Sequence, residues 1–282
     1  MSATVLFDTP GPKARARSKA YTGITGLALA ALLGWIGYRF WVTGQFDASM
    51  WARFEYTDVQ WAIVQGLLTT LKVFAIAGAA SLVLGAVLAV GRLSDHAPVR
   101  WVSAVIVEFF RAMPLVIMIY ALYRWQFTDR PMWALVIGLT LYNGSVQAEV
   151  IRAGINAVPR GQAEAAYALG LRKSQVMRVV LVPQAVRSML PTIISQLVVT
   201  LKDTSLGYVI TYEELLYVGN QIAATTNTPN GFPYVQVMMV IAPIYIAMCL
   251  LLSWAARAIE RRGGRTTSTG AALAGAGMAA GD

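Results

Sequence analysis

Two pairs of charged residues sit where charge is costly. Glu108 and Arg111 interrupt the apolar run Trp101 to Tyr123, and Lys202 and Asp203 interrupt the run Ser188 to Ile210. A charge at the centre of a hydrophobic span costs about 2.5–3.5 kcal/mol or more, so each needs a polar route or a partner. Glu108 and Arg111 are three apart near the middle of their run, share a helix face and can pair. Pro114 follows and is expected to kink the helix. Two readings stand side by side: a kinked helix lining a pathway, or an ion pair locking helices together. Lys202 and Asp203 are adjacent and point about 100° apart, so they cannot both face one partner. Thr204 and Ser205 add hydroxyls there. Lys202 either lines a pathway or snorkels to the outer interface. Lys72 falls inside another apolar run, and Glu149 can brace Arg152 three residues on.

Several chemistries lack their residues. No Gly-x-x-x-x-Gly-Lys-Ser/Thr phosphate loop is present, and Gly263-Gly-Arg-Thr-Thr lacks both its spacing and its lysine. ATP hydrolysis, if it drives this protein, belongs to another chain, and the chain is not expected to be an enzyme. One cysteine, Cys249, and one histidine, His96, leave no internal disulfide and no zinc ligand set, and they disfavour a Ser-His hydrolase. No metal or cofactor is expected, and His96 reads as a solvated loop residue.

The elements that must carry these residues follow from composition. The chain has 282 residues, 57% hydrophobic and 13% charged, with mean hydropathy +0.56. Soluble domains run nearer ~25% charged, and disorder needs still less hydrophobicity. A bilayer core takes about 20 apolar residues as helix. Six segments qualify: Ala20 to Tyr38, Trp61 to Gly91, Trp101 to Tyr123, Pro131 to Ala148, Ser188 to Ile210 and Tyr234 to Ala256. The reading is an all-α membrane protein of about six spans surrounded by lipid. The first is a retained helix at 19–42, because no cleavage site and soluble domain follow it. Trp51, Trp61, Trp101, Trp125 and Trp133 fit interfacial anchors.

The net charge of +9 is distributed unevenly. Lys13, Arg15, Arg17 and Lys19 precede the first span, and Arg92 and Arg100 follow the second. Six more lie from Arg152 to Arg187, and Arg257, Arg261, Arg262 and Arg265 follow the last. Only Arg53, Arg124 and Arg130 fall on the other side. The positive-inside rule puts both termini in the cytoplasm and makes nucleic acid a poor partner. Residues 1–18 and 263–282 are low in complexity and are expected to be disordered tails.

Between the fourth and fifth spans the chain should form a cytoplasmic helix at about 159–171. Pro159 suits a first turn, and Gly170 suits a left-handed stop. Ser174 can cap a following helix, which Pro183 then bends. The short helix would expose Ala165, Ala166, Tyr167 and Leu169, so it packs on its own protein or docks a partner.

Here the residues carry a resemblance. Glu164-Ala165-Ala166, Gly170 and Val180-Leu-Val-Pro183 resemble the EAA loop of ABC importer permeases, with Val180 and Val182 where the family has Ile and Leu. The stretches Tyr142 to Ile155, Val158 to Gln162, Ala168 to Leu171 and Leu201 to Leu206 resemble that family's polar amino acid branch. Phe109-Phe-Arg-Ala-Met-Pro114 resembles its Arg-x-Thr-Pro stretch, with Met113 in place of Thr. The similarity is dense from about 61 to 256, which leaves the first span outside a five-helix core and puts the permease domain at 60–258.

The resemblance implies a transport role. Glu164, Ala165, Ala166 and Gly170 would couple the chain to an ATP-binding subunit. Glu108, Arg111, Pro114, Lys202, Asp203, Thr204 and Ser205 become candidates for the translocation pathway. The implied partners are two ATP-binding cassette subunits, a second permease (a paralogue or another copy) and an extracytoplasmic amino acid-binding protein. That binding protein would dock on the outer loop Thr211 to Pro233, where Glu213 and Glu214 lie. Arg111, Lys202 and Lys72 would favour an acidic substrate, glutamate first, with glutamine or a basic amino acid open. A self-sufficient carrier or channel and a scaffold without transport remain the competing readings.

Overall fold

The computed structural model describes residues 11–278, with side chains placed through residue 258. Among the described residues there is no strand, only an isolated bridge between Thr228 and Gly231. The helices are α1 (Pro12–Val42), α2 (Ala48–Trp51), α3 (Thr57–Arg92), α4 (Ala97–Ala112), α5 (Leu115–Trp125) and α6 (Pro131–Asn156). There follow α7 (Arg160–Ala168), α8 (Lys173–Gln175), α9 (Val182–Asp203), α10 (Leu215–Thr225) and α11 (Tyr234–Met278). A π segment, Val176–Leu181, joins α8 to α9, and a 3-10 stretch, Thr204–Ile210, extends α9.

Among the described residues, five helices are long and apolar enough to cross a membrane: α1, α3, α6, the rod Lys173–Ile210 and the Tyr234–Ala258 part of α11. The sixth expected span is a bent pair. Helices α4 and α5 meet at 98°. Pro114 crowds the residue before it out of helical geometry, and Met113 is extended at φ −78°, ψ 127°. Pro183 likewise cannot donate to the carbonyl four residues back, and its ring crowds that carbonyl. The helix widens into the π segment just ahead of it.

The ends depart from expectation. Residues 12–18, read as part of a disordered tail, open α1, because Pro12 fits a first turn and the basic residues after it are fair helix formers. Residues 263–278, also read as tail, continue the backbone of α11. The remaining tail residues, 1–10 and 279–282, lie outside the described residues. Ser174 does not cap α8: the Gln175 side chain accepts the Arg172 N–H at 2.9 Å.

Helices α3 and α6 form the closest pair. A Cβ on Gly85 would lie 2.6 Å from Gln147 Cβ and 3.0 Å from the Gly144 carbonyl. Small residues let these two backbones approach, as membrane helices without a hydrophobic drive require. Gly85→Val is therefore expected to destabilise the permease by about 1–3 kcal/mol through overpacking. A lower thermal midpoint of the purified protein would show it, and an unchanged midpoint would refute the close approach.

Around this pair, Ile119, Leu135, Leu139 and Ile210 bury one core, and Val59, Leu201, Leu215 and Ile241 bury another with α10 and α11. Helix α1 stands apart, with no buried residue. The segment after it is tied down, Gln236 Nε2 donating to the Gln45 carbonyl and Asn230 Nδ2 to the Gly44 carbonyl at 3.4 Å.

Candidate functional site

The short helix α7 spans Arg160–Ala168, inside the stretch 159–171, with Pro159 as the residue just ahead of it rather than in its first turn. Gly170 stops it at φ +78°, a conformation that L side chains avoid. The Leu171 N–H reaches back to the Ala166 carbonyl at 3.2 Å and the Gly170 N–H to the Tyr167 carbonyl at 2.9 Å, satisfying the end of the helix. Glu164, Ala165, Tyr167 and Leu169 are exposed. Ala166 is not: it is 4% exposed, on the side by which α7 packs against its own chain at the π segment. The helix therefore does both things left open above, resting on its own chain by Ala166 and presenting an apolar-and-acidic face outward.

This end of the bundle is tied to the α3–α4 turn by an ion pair between Lys173 and Asp95. The Lys173 ammonium holds the Asp95 carboxyl below the usual carboxylate range. A depressed pKa means the tie is present at neutral pH and is lost as pH falls through the folded value. His96 is exposed in this turn, as expected.

Glu108 and Arg111 do pair, at 3.8 Å, but not by themselves. Glu108 also meets Arg92, the last residue of α3, and Arg92 meets Glu149 of α6. Glu149 braces Arg152, as its spacing suggested. Arg92 was legible only as a basic loop residue, because nothing local in the sequence links it to residues 108 and 149.

At the opposite end, Lys202 and Ser205 line a cavity of about 280 Å³ with Leu216, Met238, Ile241 and Tyr245. Asp203 and Thr204 do not line it. Thr204 is buried, its hydroxyl donating to the Leu201 carbonyl at 2.6 Å. Lys72 lies exposed on α3.

Glu214 overturns an expectation. It belongs to the loop expected to lie outside, yet it is fully buried and offers no surface for docking. Its carboxylate accepts the N–H groups of Leu216 and Tyr217 at 2.9 and 2.8 Å, capping α10. It also accepts the Tyr245 hydroxyl at 2.7 Å, while Thr70 of α3 accepts the Leu215 N–H at 3.1 Å. Burial pushes the Glu214 carboxyl up, against the pull of its three donors. A lone loop glutamate gives no sequence signal of this. Glu214→Ala orphans three donors and is expected to cost about 1–3 kcal/mol. Differential scanning of the purified permease checks this, and a loss within error would contradict the arrangement. Also unforeseen is an amide pair between α6 and α9, the half-buried Gln196 donating through Nε2 to Oδ1 of the buried Asn143 at 2.8 Å.

Residues 81–264 match the family described as binding-protein-dependent transport system inner membrane component. The chain belongs to that family. It is 42% identical over 228 residues to the glutamate transport system permease protein GluD of Corynebacterium glutamicum, covering 78% of this chain and 81% of that one. It is 31% identical over 205 residues to the arginine transport system permease protein ArtQ of Bacillus subtilis, covering 71% and 91%. Among solved structures, an amino acid ABC transporter with histidines aligns at TM-score 0.68 and 29% identity, covering 76% of this chain and 98% of that one.

As a member of the family, the chain is a multi-pass permease subunit of the cytoplasmic membrane in an ATP-driven importer. It is not itself an enzyme, since the ATPase is a separate subunit. An ATPase, a substrate-binding protein and a second permease are its partners. The self-sufficient carrier and the inert scaffold, both open on the residues alone, are set aside.

Proposed function

We propose that this permease imports glutamate by alternating access. The observation that carries the reading is the 42% identity to a permease named for glutamate. An open, mostly apolar cavity bordered by Lys202 and Ser205 supports it, the exposed Lys202 being the charge that could meet a carboxylate at its edge. Arg111 and Lys72 add positive character to the pathway, and Glu108, Pro114, Asp203 and Thr204 shape its helices.

The excess of basic residues places α7 and both termini in the cytoplasm. There Glu164 and Ala165 face one of two ATP-binding cassette subunits, while Ala166 and Gly170 fix the helix they sit on. Closure of the ATPases on ATP brings the α7 helices together and turns the pathway outward. Hydrolysis resets it. A second permease, a paralogue or another copy, supplies the other half of the pathway. The external binding protein docks on the outer loop, where Glu213 rather than Glu214 is exposed.

A second reading, import of a basic amino acid, rests on the 31% identity to a permease named for arginine. A cavity whose charged side chain is Lys202 opposes it. Uptake of radiolabelled glutamate by cells expressing the whole system, with unlabelled glutamate, glutamine and arginine as competitors, tests the choice. Competition by glutamate alone is expected. Competition by arginine and not by glutamate would overturn the substrate.

A further inference from the structure

At the α7 end, one guanidinium joins three helices. Arg92 Nη1 lies 2.8 Å from Glu149 Oε1 on α6 and 3.3 Å from Glu108 Oε1 on α4. The two arms differ in kind. The side chains of Arg92 and Glu149 are 14% and 19% exposed, and Glu149 is held a second time by Arg152 Nη2 at 2.9 Å. Glu108 is 63% exposed. An ion pair open to water holds weakly, whereas breaking a buried one strands a charge.

Helices α3 and α6 are pressed together at Gly85. Helix α4 runs from the 93–96 turn to the extended Met113, where the chain bends by 98°. It rests on that pair through Val107, buried among Leu88, Ala89 and Ala148, and through Ser103 at Gly91, with Glu108 on its open side. Opening the Arg92–Glu108 contact leaves neither charge alone, since Arg92 keeps Glu149 and Glu108 keeps Arg111 at 3.8 Å. The network is therefore built so that one contact can be given up without cost to the others.

The geometry points to Arg92 as a positioning residue, a latch that holds α4 against the α3–α6 pair and releases Glu108 as the permease changes state. This rests on the alternating-access reading above. A contact that can open while both of its charges keep another partner suits such a transition.

The test uses the whole complex in proteoliposomes, with Cys249→Ser as background. Arg92→Cys and Glu108→Cys together are bridged by a reducible bifunctional thiol reagent. Bridging is expected to cut uptake at least about tenfold with the ATPase still bound, and reductant should restore it. Uptake unchanged by a verified bridge would overturn the latch. Separately, Glu108→Gln should lower substrate moved per ATP several-fold at normal assembly, while Glu149→Gln should lose assembled complex. Equal losses of assembly in both would also overturn it. Failure of the function reading looks different: the unmodified complex would then move no glutamate at all.

Discussion

Cells carrying the Glu164→Lys permease are expected to lose about 90% or more of their glutamate uptake, a tenfold effect equivalent to about 1.4 kcal/mol of lost docking free energy. Glu164 is exposed on α7, outside the permease's own core. Replacing it should leave folding and membrane level unchanged, and reversing its charge should act only on what sits against it. Gly170→Val provides the complementary perturbation. No atom lies within 4 Å of a Cβ at Gly170, so space is not the difficulty. The difficulty is φ +78°, which costs a branched residue roughly 1–2 kcal/mol and tilts α7 rather than emptying its surface. Both variants should fail to co-purify the ATPase while remaining in the membrane. Full uptake with a retained ATPase in both would contradict α7 as the docking helix.

Lys202→Met is expected to have the second large effect. Lys202 is exposed and is the charged residue bordering the open cavity it shares with Tyr245, Met238 and Ile241. A hydrogen bond to a charged group contributes about 1.5–3 kcal/mol, so removing it should weaken glutamate transport about tenfold to a hundredfold. Methionine keeps the apolar stem, which separates lost charge from lost packing. Lys202→Arg should recover part of the activity. ATP hydrolysis stimulated by the binding protein should persist, since α7 is untouched. Equal uptake by wild type and Lys202→Met would assign Lys202 to snorkelling instead.

Much of the frame was legible in the sequence because its signals are local. Apolar runs marked the spans, Pro159 and Gly170 marked α7, and Pro114 marked a break. What local signals do not carry is magnitude and partnership. Pro114 promised a kink, and the structure turns by 98°; Glu108 meets Arg92 at the end of α3 as well as Arg111. Arg92, Glu108 and Glu149 lie on three helices, and no spacing rule joins them. Glu214 looked like a surface acid because its neighbours are loop-like. Its burial depends on Tyr245, 31 residues away, and on Thr70, which holds the adjoining Leu215. Ala166 was grouped with its exposed neighbours because a short helix does not announce which face rests on the π segment after it.

The account stands on ATP-driven glutamate movement through this chain. The most direct measurement is glutamate accumulation in proteoliposomes holding the permease pair and ATPase, with binding protein outside and ATP sealed inside. Accumulation is expected with ATP in the lumen, and it should vanish with a non-hydrolysable analogue or with Glu164→Lys. Glutamate entry that proceeds equally without ATP, or no entry while another amino acid accumulates, would contradict the account.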